Sequence, residues 1–335
     1  MYTKKFFNEP GSMTDEMLEG LHMVMENYID VDGHVVSRKG LKDDPRRRVT
    51  AMTIGGSGHE PSSLGFVGPG WECVKVLGDV FAAPGPAAII EGIRIADKGE
   101  GILFYVGNHA GDVMNANMAL KMAKKQGINI EMVIFHDDVS SYPREEKEQR
   151  RGMICNLGLG KVIGSACDSG RPLDKVKEIA LRFIDNTASI AVATSGATHP
   201  VSGQMISAIP QGKMIIGMGQ HGEGSGLQQD IKKSRDTVEI MSDMIINDLS
   251  LRSGDKVLLV INGVGSTTYM ELMILFKDTY NYLRENGIEV GVKIVGEYLT
   301  TQEQAGFQMS MTKIDNELTE LLKYPCVTAF KRQLY

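Results

Sequence analysis

The sequence predicts an α/β protein of two α/β domains with mostly parallel or mixed sheets. Apolar strand segments alternate with helical segments along the whole chain, the pattern of strands joined by helical crossovers. The chain has 335 residues, which is more than one small core accommodates. Because the strand pattern restarts near residue 187, we expect a first domain over residues 1–186 and a second over residues 187–335.

The first half is expected to contain three strands and five helices. Apolar periodicity places the strands over 48–54, 101–106 and 128–135, and the helices over 12–28, 85–97, 113–126, 153–168 and 173–186. Ser12 is the expected cap of the first helix. The charged segment 143–152, PREEKEQRRG, is expected to be a solvent-exposed loop or helix start.

The second half repeats the alternation. It predicts strands over 189–194, 213–216, 256–261 and 288–295, and a last strand that starts at Phe307. Helices are expected over 235–250, from the end of the 262–268 loop to about 286, and over 314–323.

Composition excludes several classes of function. The chain has 36 Lys+Arg against 42 Asp+Glu, a net charge of −6, which argues against a nucleic-acid partner. It contains no apolar run long enough for a membrane span. Its N-terminal residues do not resemble a signal peptide, and its four cysteines have no metal-ligand spacing. A cytoplasmic location with reduced, structural thiols is therefore expected.

Glycine is unusually abundant and is concentrated in four loops. There are 38 glycines in the chain, above the usual share of about 7%. Multi-glycine loops follow predicted strands at 55–61, 107–112, 217–226 and 262–268. Ligands bind at the carboxyl ends of parallel strands, and glycine lets the backbone approach a ligand closely. We expect at least two of these loops to line a ligand site.

Two of the histidines and one aspartate in these loops form a candidate reactive set. His59 and His221 each belong to a glycine-rich loop, and they are followed by Glu60 and by Gly222-Glu223, respectively. His22 and His34 are expected to be surface or structural residues. A neutral imidazole can act as a nucleophile or a proton shuttle, and Asp112 could act as a carboxylate base. A zinc site from the same three residues is an alternative, although no HxxxH or HExxH spacing supports it.

The loop GMGQHG, residues 217–222, matches the pattern G-x-G-x-x-G. A dinucleotide site also needs a helix at the third glycine and an acidic residue about 20 positions later, at the end of a second strand. The nearest acidic candidate, Glu239, falls in a helical pattern, and the chain contains no P-loop. No nucleotide cofactor is therefore expected in this chain.

Five segments together resemble a known family. They are GGSGHEP, GNHAGDVMN, HDDVS, GMGQHGE and NGVGST. The sequence resembles the substrate-binding K subunit of dihydroxyacetone (glycerone) kinase, a transferase of glycerol metabolism, from Asn8 to Met311. The resemblance implies the K-domain fold and a cytoplasmic homodimer.

The resemblance also implies a role for individual residues. In this family the histidine of the HGE loop, here His221, bonds covalently to the ketone carbon of dihydroxyacetone as a hemiaminal. The histidine of GGSGHEP, here His59, would assist proton transfer on the bound ketose. Asp112 would accept the proton of the hydroxyl that is phosphorylated. The backbone at Gly56 would meet substrate oxygens.

The family divides the reaction between subunits. The K subunit holds the ketose and carries no cofactor, while a separate L subunit carries ADP or ATP and magnesium. In bacterial systems a protein of the phosphotransferase system re-phosphorylates the bound ADP. The expected partners are therefore a short ketose, an L subunit and a second copy of this chain.

Two positions depart from the family pattern. The family lysine of K-N-x-x-G-D is replaced by Gly107, and the usual HGEPG is HGEGSG over residues 221–226. Three explanations remain open. A larger ketose such as a tetrulose could need the space, His109 could supply a replacement donor, or the chain could be a non-catalytic paralogue. Such paralogues bind dihydroxyacetone and act as co-activators of a transcriptional regulator of the operon.

Overall fold

The chain folds into two units, each with its own six-stranded sheet. The computed structural model describes residues 5–64, 66–223, 226–330 and 332–333. Among these, the N-terminal unit contains residues 5–135, 156–182 and 320–333. The C-terminal unit contains His136–Cys155 and Phe183–Thr319, and its sheet begins at Thr187.

The sheet of the N-terminal unit is parallel over four strands. Its strands are β1 (Ile29–Asp32), β2 (Val35–Arg38), β3 (Arg48–Ser57), β4 (Val74–Val80), β5 (Gly99–Gly107) and β6 (Ile130–Phe135), in the spatial order β1-β2-β4-β3-β5-β6. The pairs β4–β3, β3–β5 and β5–β6 are parallel, and β1 and β2 are antiparallel to their neighbours. The carboxyl ends of β4, β3 and β5 therefore share one edge.

Helices cover both faces of this sheet. They are α1 (Met13–Met25), α2 (Pro86–Ala96), α3 (Ala110–Lys125), α4 (Cys155–Asp168) and α5 (Leu173–Asp185). On one face, Ile89 and Ile93 of α2 and Ala116 of α3 pack with Met52 and Phe104. On the other face, Leu18 and Leu21 of α1 belong to a second cluster with Val36 and Leu77. Each fully buried Leu or Ile contributes roughly 1.5–3 kcal/mol, so these two layers hold the strand ends in place.

The sheet of the C-terminal unit is mixed. The strands of this unit are β7 (Thr187–Ala193), β8 (Ala197–Thr198), β9 (Met205–Ile206), β10 (Lys213–Ile216), β11 (Leu227–Asp230), β12 (Lys256–Gly263), β13 (Glu289–Gly296) and β14 (Gly306–Lys313). The six-stranded order is β11-β10-β7-β14-β12-β13, and β8 pairs with β9 in a separate ribbon. Strands β12 and β13 pair in parallel, whereas β14 lies between β7 and β12 and is antiparallel to both.

Two long helices cover this second sheet. They are α6 (Ser234–Leu249) and α7 (Tyr269–Glu285). Thr268 begins α7 through a capping box, in which its hydroxyl accepts the backbone N–H of Glu271 and the Glu271 carboxylate accepts the backbone N–H of Thr268. Met241 of α6 and Leu272 of α7 are buried in the core cluster of this sheet.

The chain ends with helix α8 (Asn316–Lys323) and a two-stranded ribbon of β15 (Cys326–Val327) and β16 (Arg332–Gln333). Cys73, Cys155, Cys167 and Cys326 are buried free thiols. Among the described residues, no helix is long and apolar enough to cross a membrane.

The predicted two-sheet α/β fold is confirmed. Among the described strands, the sequence missed β1, β2, β4, β8, β9, β11, β15 and β16. The β1–β2 hairpin could have been predicted from the dipeptide Asp32-Gly33, which is typical of a hairpin turn. In the structure Gly33 takes the positive φ, +54°, that such a turn requires. Strand β4 carries Lys75, Gly78 and Asp79, which break the apolar run by which buried strands are recognised.

The expectation of a solvated segment at 143–152 is wrong for its last arginines. Arg144–Gln149 forms an exposed 3-10 helix, but the Arg150 side chain is only 2% exposed. Its guanidinium donates to both carboxylate oxygens of Asp248, at 2.6 and 3.1 Å, and to the carbonyl of Tyr142. This bidentate pairing compensates the buried charge of the guanidinium. A run of charged residues in the sequence does not predict such a buried pair.

Candidate functional site

Three glycine-containing segments meet at the carboxyl edge of the N-terminal sheet. Strand β3 ends in Gly55-Gly56-Ser57 and leads into His59, while β5 ends at Gly107 and leads into His109 and Asp112. On the other side of β3, β4 leads into the segment Phe81–Pro84. The parallel pairing places the three loops side by side, which is where ligands bind in parallel sheets.

The segment 81–84 packs directly on the His59 turn. The rings of His59 and Phe81 have centroids 5.0 Å apart at an interplanar angle of 45°. A Cβ at Gly56 would lie 2.9 Å from the backbone nitrogen of Ala82, and one at Gly58 would lie 2.7 Å from Cε1 of Phe81. Gly58 also has a φ of +98°. Gly56 and Gly58 are therefore required for close packing against this segment.

Asp112 lies in the first turn of helix α3, because the helix begins at Ala110 and not at 113 as the sequence predicts. A carboxylate in the first turn interacts favourably with the positive end of the helix dipole. The same helix contacts segment 81–84: the Cβ position of Gly111 is 3.3 Å from Cβ of Ala83, and Asn115 Nδ2 donates to the carbonyl of Pro84 at 3.0 Å. Segment 81–84 thus touches both the His59 turn and the Asp112 helix.

The sequence did not identify segment 81–84 as part of the site. Phe81 has a φ of +57°, an uncommon conformation for a bulky residue. The run FAAPGP, residues 81–86, could have indicated a loop at the end of a strand. It was missed because the apolar periodicity did not reveal strand β4, which precedes it.

Gly107 and His109 are close neighbours. A Cβ built at Gly107 would be 3.3 Å from Cδ2 of His109 and 3.1 Å from Cζ of Phe135. A larger residue at 107 would therefore have to displace the His109 and Phe135 rings by a few tenths of an ångström. The small residue at 107 and the imidazole at 109 are structurally coupled.

In the C-terminal unit, His221 lies in the loop between β10 and β11. Its backbone N–H donates to Oε2 of Glu223 at 2.7 Å, and its Nδ1 lies 3.5 Å from Oε1 of the same carboxylate. Burial raises the pKa of Glu223, but the hydrogen bond and charge of His221 outweigh it and lower this pKa to about 2. The His221 side chain is 35% exposed, so the ring is accessible.

Arg151 and Asp138 hold the loop that carries His221. Arg151 donates to the carbonyl of Glu223 at 2.8 Å and to the carbonyl of Gly217 at 3.2 Å. Its Nε donates to Asp138 at 2.8 Å, and the Asp138 side chain is 1% exposed. This arginine belongs to the segment that was expected to be solvated, so sequence analysis missed its role.

Further contacts fix the two ends of the loop. Thr301 donates its hydroxyl to the carbonyl of the buried Gln220 at 2.8 Å, and Ser207 donates to the carbonyl of Gly222 at the same distance. Gly222 has a φ of +77°, and the described chain continues from Gly226 into strand β11. Gly224 and Ser225, the altered part of HGEGSG, lie outside the described residues.

The predicted site residues are thus divided between the two units. The N-terminal unit brings Gly56, His59, Gly107, His109 and Asp112 to one sheet edge, while the C-terminal unit carries His221 with Glu223.

The fold and the site define a class: two-sheet α/β proteins with glycine-rich loops that carry histidine and aspartate at strand ends. Within this class, residues 19–330 match the Dak1 domain, and the chain belongs to the Dak1 family. The resemblance inferred from the loops is confirmed.

Among its relatives, the chain is 34% identical to the dihydroxyacetone-binding subunit DhaK of a PTS-dependent dihydroxyacetone kinase from Listeria innocua, over 98% of both chains. It is 32% identical to an L-erythrulose kinase of Pectobacterium atrosepticum, over 97% of this chain and 56% of that protein. The structure superposes on the dihydroxyacetone kinase of C. freundii with a TM-score of 0.88 and 26% identity, covering 99% of this chain and 61% of that one.

Proposed function

We propose that this chain is the ketose-binding subunit of a dihydroxyacetone kinase. It binds dihydroxyacetone, or a close short-chain ketose, as a hemiaminal on His221 and presents it for phosphorylation by a separate nucleotide-carrying L subunit. ADP or ATP and magnesium would then reside on that partner. The full-length similarity to a dihydroxyacetone-binding subunit supports this assignment.

The observation that carries the proposal is the contact between His221 and Glu223. A carboxylate beside Nδ1 stabilises the tautomer that is protonated there, which leaves the lone pair on Nε2. Attack of Nε2 on the ketone carbon forms a C–N bond as the carbonyl π bond breaks. The carbonyl oxygen gains a proton and the ring gives up its N–H proton, so the step is balanced.

We assign the remaining roles by the family pattern. His59 assists proton transfer on the ketose, and Asp112 accepts the proton of the hydroxyl that is phosphorylated. Glycerol lacks a carbonyl, so a covalent site rejects it chemically as well as sterically.

A test starts from the protein alone. Incubation with dihydroxyacetone should increase the mass of the intact protein by one ketose in native mass spectrometry, with the adduct on His221. His221→Ala should abolish the increase, while His22→Ala, on helix α1, and incubation with glycerol serve as controls. Absence of an adduct on the folded wild-type protein would overturn the proposal.

A second candidate function is a non-catalytic ketone-binding co-activator of a transcriptional regulator of the dihydroxyacetone operon. It is motivated by Gly107, which stands where the family lysine would supply a cation. Both functions predict the adduct, so phosphorylation of the ketose is the property that distinguishes them. Phosphorylation of dihydroxyacetone or erythrulose with an L subunit and phosphoryl donor supports the enzyme; an adduct without turnover, together with binding to a regulator, supports the co-activator.

A further inference from the structure

An open cavity of about 530 Å³ lies in the N-terminal unit, at the sheet edge opposite the His59 turn. It adjoins Arg48, the first residue of β3, whereas His59 follows Ser57, the last residue of that strand. Strand β3 has ten residues. At about 3.3 Å per residue, roughly 30 Å separate the cavity from the His59 turn. The cavity is therefore distinct from the glycine-rich loops of this unit.

Positive charge predominates in the lining of the cavity. Its four basic residues are Arg38, Lys39, Arg46 and Arg48, and its two acidic residues are Asp44 and Asp168. Two of the cations each have a carboxylate of their own. Arg38 Nη1 donates to Asp168 Oδ1 at 2.8 Å. Lys39 Nζ donates to Oδ1 of Asp30, which lies outside the lining, at 2.8 Å. The excess charge therefore falls on Arg46 and Arg48.

These two arginines share the carboxylate of Asp44. Arg46 donates from Nε to Oδ1 at 2.9 Å and from Nη2 to Oδ2 at 2.8 Å. Arg48 Nη2 donates to the same Oδ2 at 2.8 Å. Because one carboxylate carries one negative charge, it compensates only one of the two guanidinium groups. One positive charge is left over at the cavity.

Arg48 also has hydrogen-bond donors to spare. A guanidinium carries five N–H groups, and the bond to Asp44 uses one of them. Among the residues that the structure describes, the buried Nε of Arg48 has no acceptor. The Arg48 side chain is 24% exposed and that of Arg46 is 74% exposed, so a bound molecule can reach both. Phosphate is an anion that arginine binds in bidentate fashion.

The remaining walls are suited to an organic group. They include the aromatic or apolar residues Tyr28, Leu41, Pro69, Tyr324 and Pro325. Cavities of about 300–1,000 Å³ hold small organic ligands, and a bare phosphate ion would leave most of this one unfilled. The ligand that fits therefore combines an anionic head with an organic part.

We propose that this cavity is a binding site for a small phosphate monoester, whose phosphate contacts Arg46 and Arg48 and whose organic group lies against Tyr28 and Tyr324. The inference goes beyond the proposed function, because it involves neither His221 nor a ketose.

The test is isothermal titration of the full chain with phenyl phosphate, at fixed low ionic strength and without ketose. We expect a Kd of about 1 mM or below. Arg46→Met and Arg48→Met should each weaken binding about tenfold, because each removes charge-assisted hydrogen bonds to the phosphate. Arg47→Met is the matched control. It removes the same charge from the intervening residue, which is exposed and pairs with Glu100, and should change Kd less than about twofold.

Two further arms define the ligand. Inorganic phosphate should bind about tenfold more weakly than phenyl phosphate, and phenol should not bind measurably, because each lacks one half of the proposed ligand. If Arg48→Met does not fold, Arg46→Met carries the measurement, since its side chain is largely exposed.

Three results would overturn the inference. They are no binding of phenyl phosphate to the folded wild-type protein at millimolar concentration, equal weakening in Arg46→Met and Arg47→Met, and equal affinity for phenyl phosphate and inorganic phosphate. The proposed function fails separately, when the wild-type protein forms no adduct with dihydroxyacetone.

Discussion

The Glu223 carboxylate contacts His221 at two points: it accepts the His221 backbone N–H at 2.7 Å, and its other oxygen lies 3.5 Å from the imidazole Nδ1. The first contact fixes the backbone of the loop and the second orients the ring. In the proposed function, the glutamate two residues after the histidine would set which ring nitrogen is available for bonding to the ketose.

Replacing Glu223 by glutamine should weaken adduct formation. Glutamine keeps an acceptor for the backbone N–H but removes the charge that favours a proton on Nδ1. At about pH 8, well above the ordinary imidazole pKa, we expect the half-saturating dihydroxyacetone concentration to rise roughly 3–10-fold. Native mass spectrometry of the intact protein over a concentration series measures it. An unchanged curve would show that Glu223 does not orient His221.

Arg151→Met should loosen the His221 loop. The substitution leaves the buried Asp138 carboxylate without its ion pair and removes two hydrogen bonds to the loop, so the free energy of unfolding should fall by about 3–5 kcal/mol. Arg94→Met, which breaks the exposed pair with Glu91, should cost at most about 1 kcal/mol. Urea denaturation compares the two, and equal losses would contradict the role given to Arg151.

Gly107 and His109 should behave as a coupled pair. Gly107→Lys forces the His109 and Phe135 rings aside and should cost about 1–3 kcal/mol, part of which His109→Ala should recover in the double variant. Gly20→Lys is the control, since a side chain at that helical position meets nothing within 4 Å. Additive losses in the double-mutant cycle would refute the coupling.

The same cycle tests whether His109 replaces the family lysine. If the imidazole donates to the ketose, His109→Ala alone should weaken dihydroxyacetone binding, and the double variant Gly107→Lys/His109→Ala should regain affinity. Isothermal titration of the folded variants reports both. Unaltered affinity in His109→Ala would exclude His109 as a donor.

Asp137 should make stability depend on pH. Its carboxylate accepts the backbone N–H groups of Met153 and Cys155, yet burial raises its pKa to about 6. The folded state then holds more protons than the unfolded state between about pH 4 and 6, so stability falls as pH rises through this range. Relative to Asp137→Asn, the wild type should lose about 2 kcal/mol across it.

Urea denaturation at several pH values measures this difference, and Asp43→Asn, an exposed residue, is the control. A wild type that gains stability relative to Asp137→Asn over this range would contradict the assignment.

The sequence predicts the fold well where apolar periodicity is regular. Helices α6 and α7 and strand β12 lie within a few residues of their predicted bounds. It predicts less where polar residues occupy buried positions, as Lys75 does on β4, or where arginines pair across long separations, as Arg150 does with Asp248. These last two partners are 98 residues apart, and local patterns carry no information about such a pairing.

The candidate site follows the same rule. His59, Asp112 and His221 are predicted from their loops, because glycine and histidine after a strand are visible in the sequence. Segment 81–84 and Arg151, which hold these loops in place, act through tertiary contacts and were not found.

The most direct test of the account is a crystal structure of the protein soaked with dihydroxyacetone. We predict electron density that runs continuously from Nε2 of His221 to the central carbon of the ketose and is absent in His221→Ala. A ketose bound without a bond to His221, or no ketose at this histidine, would contradict the covalent mechanism.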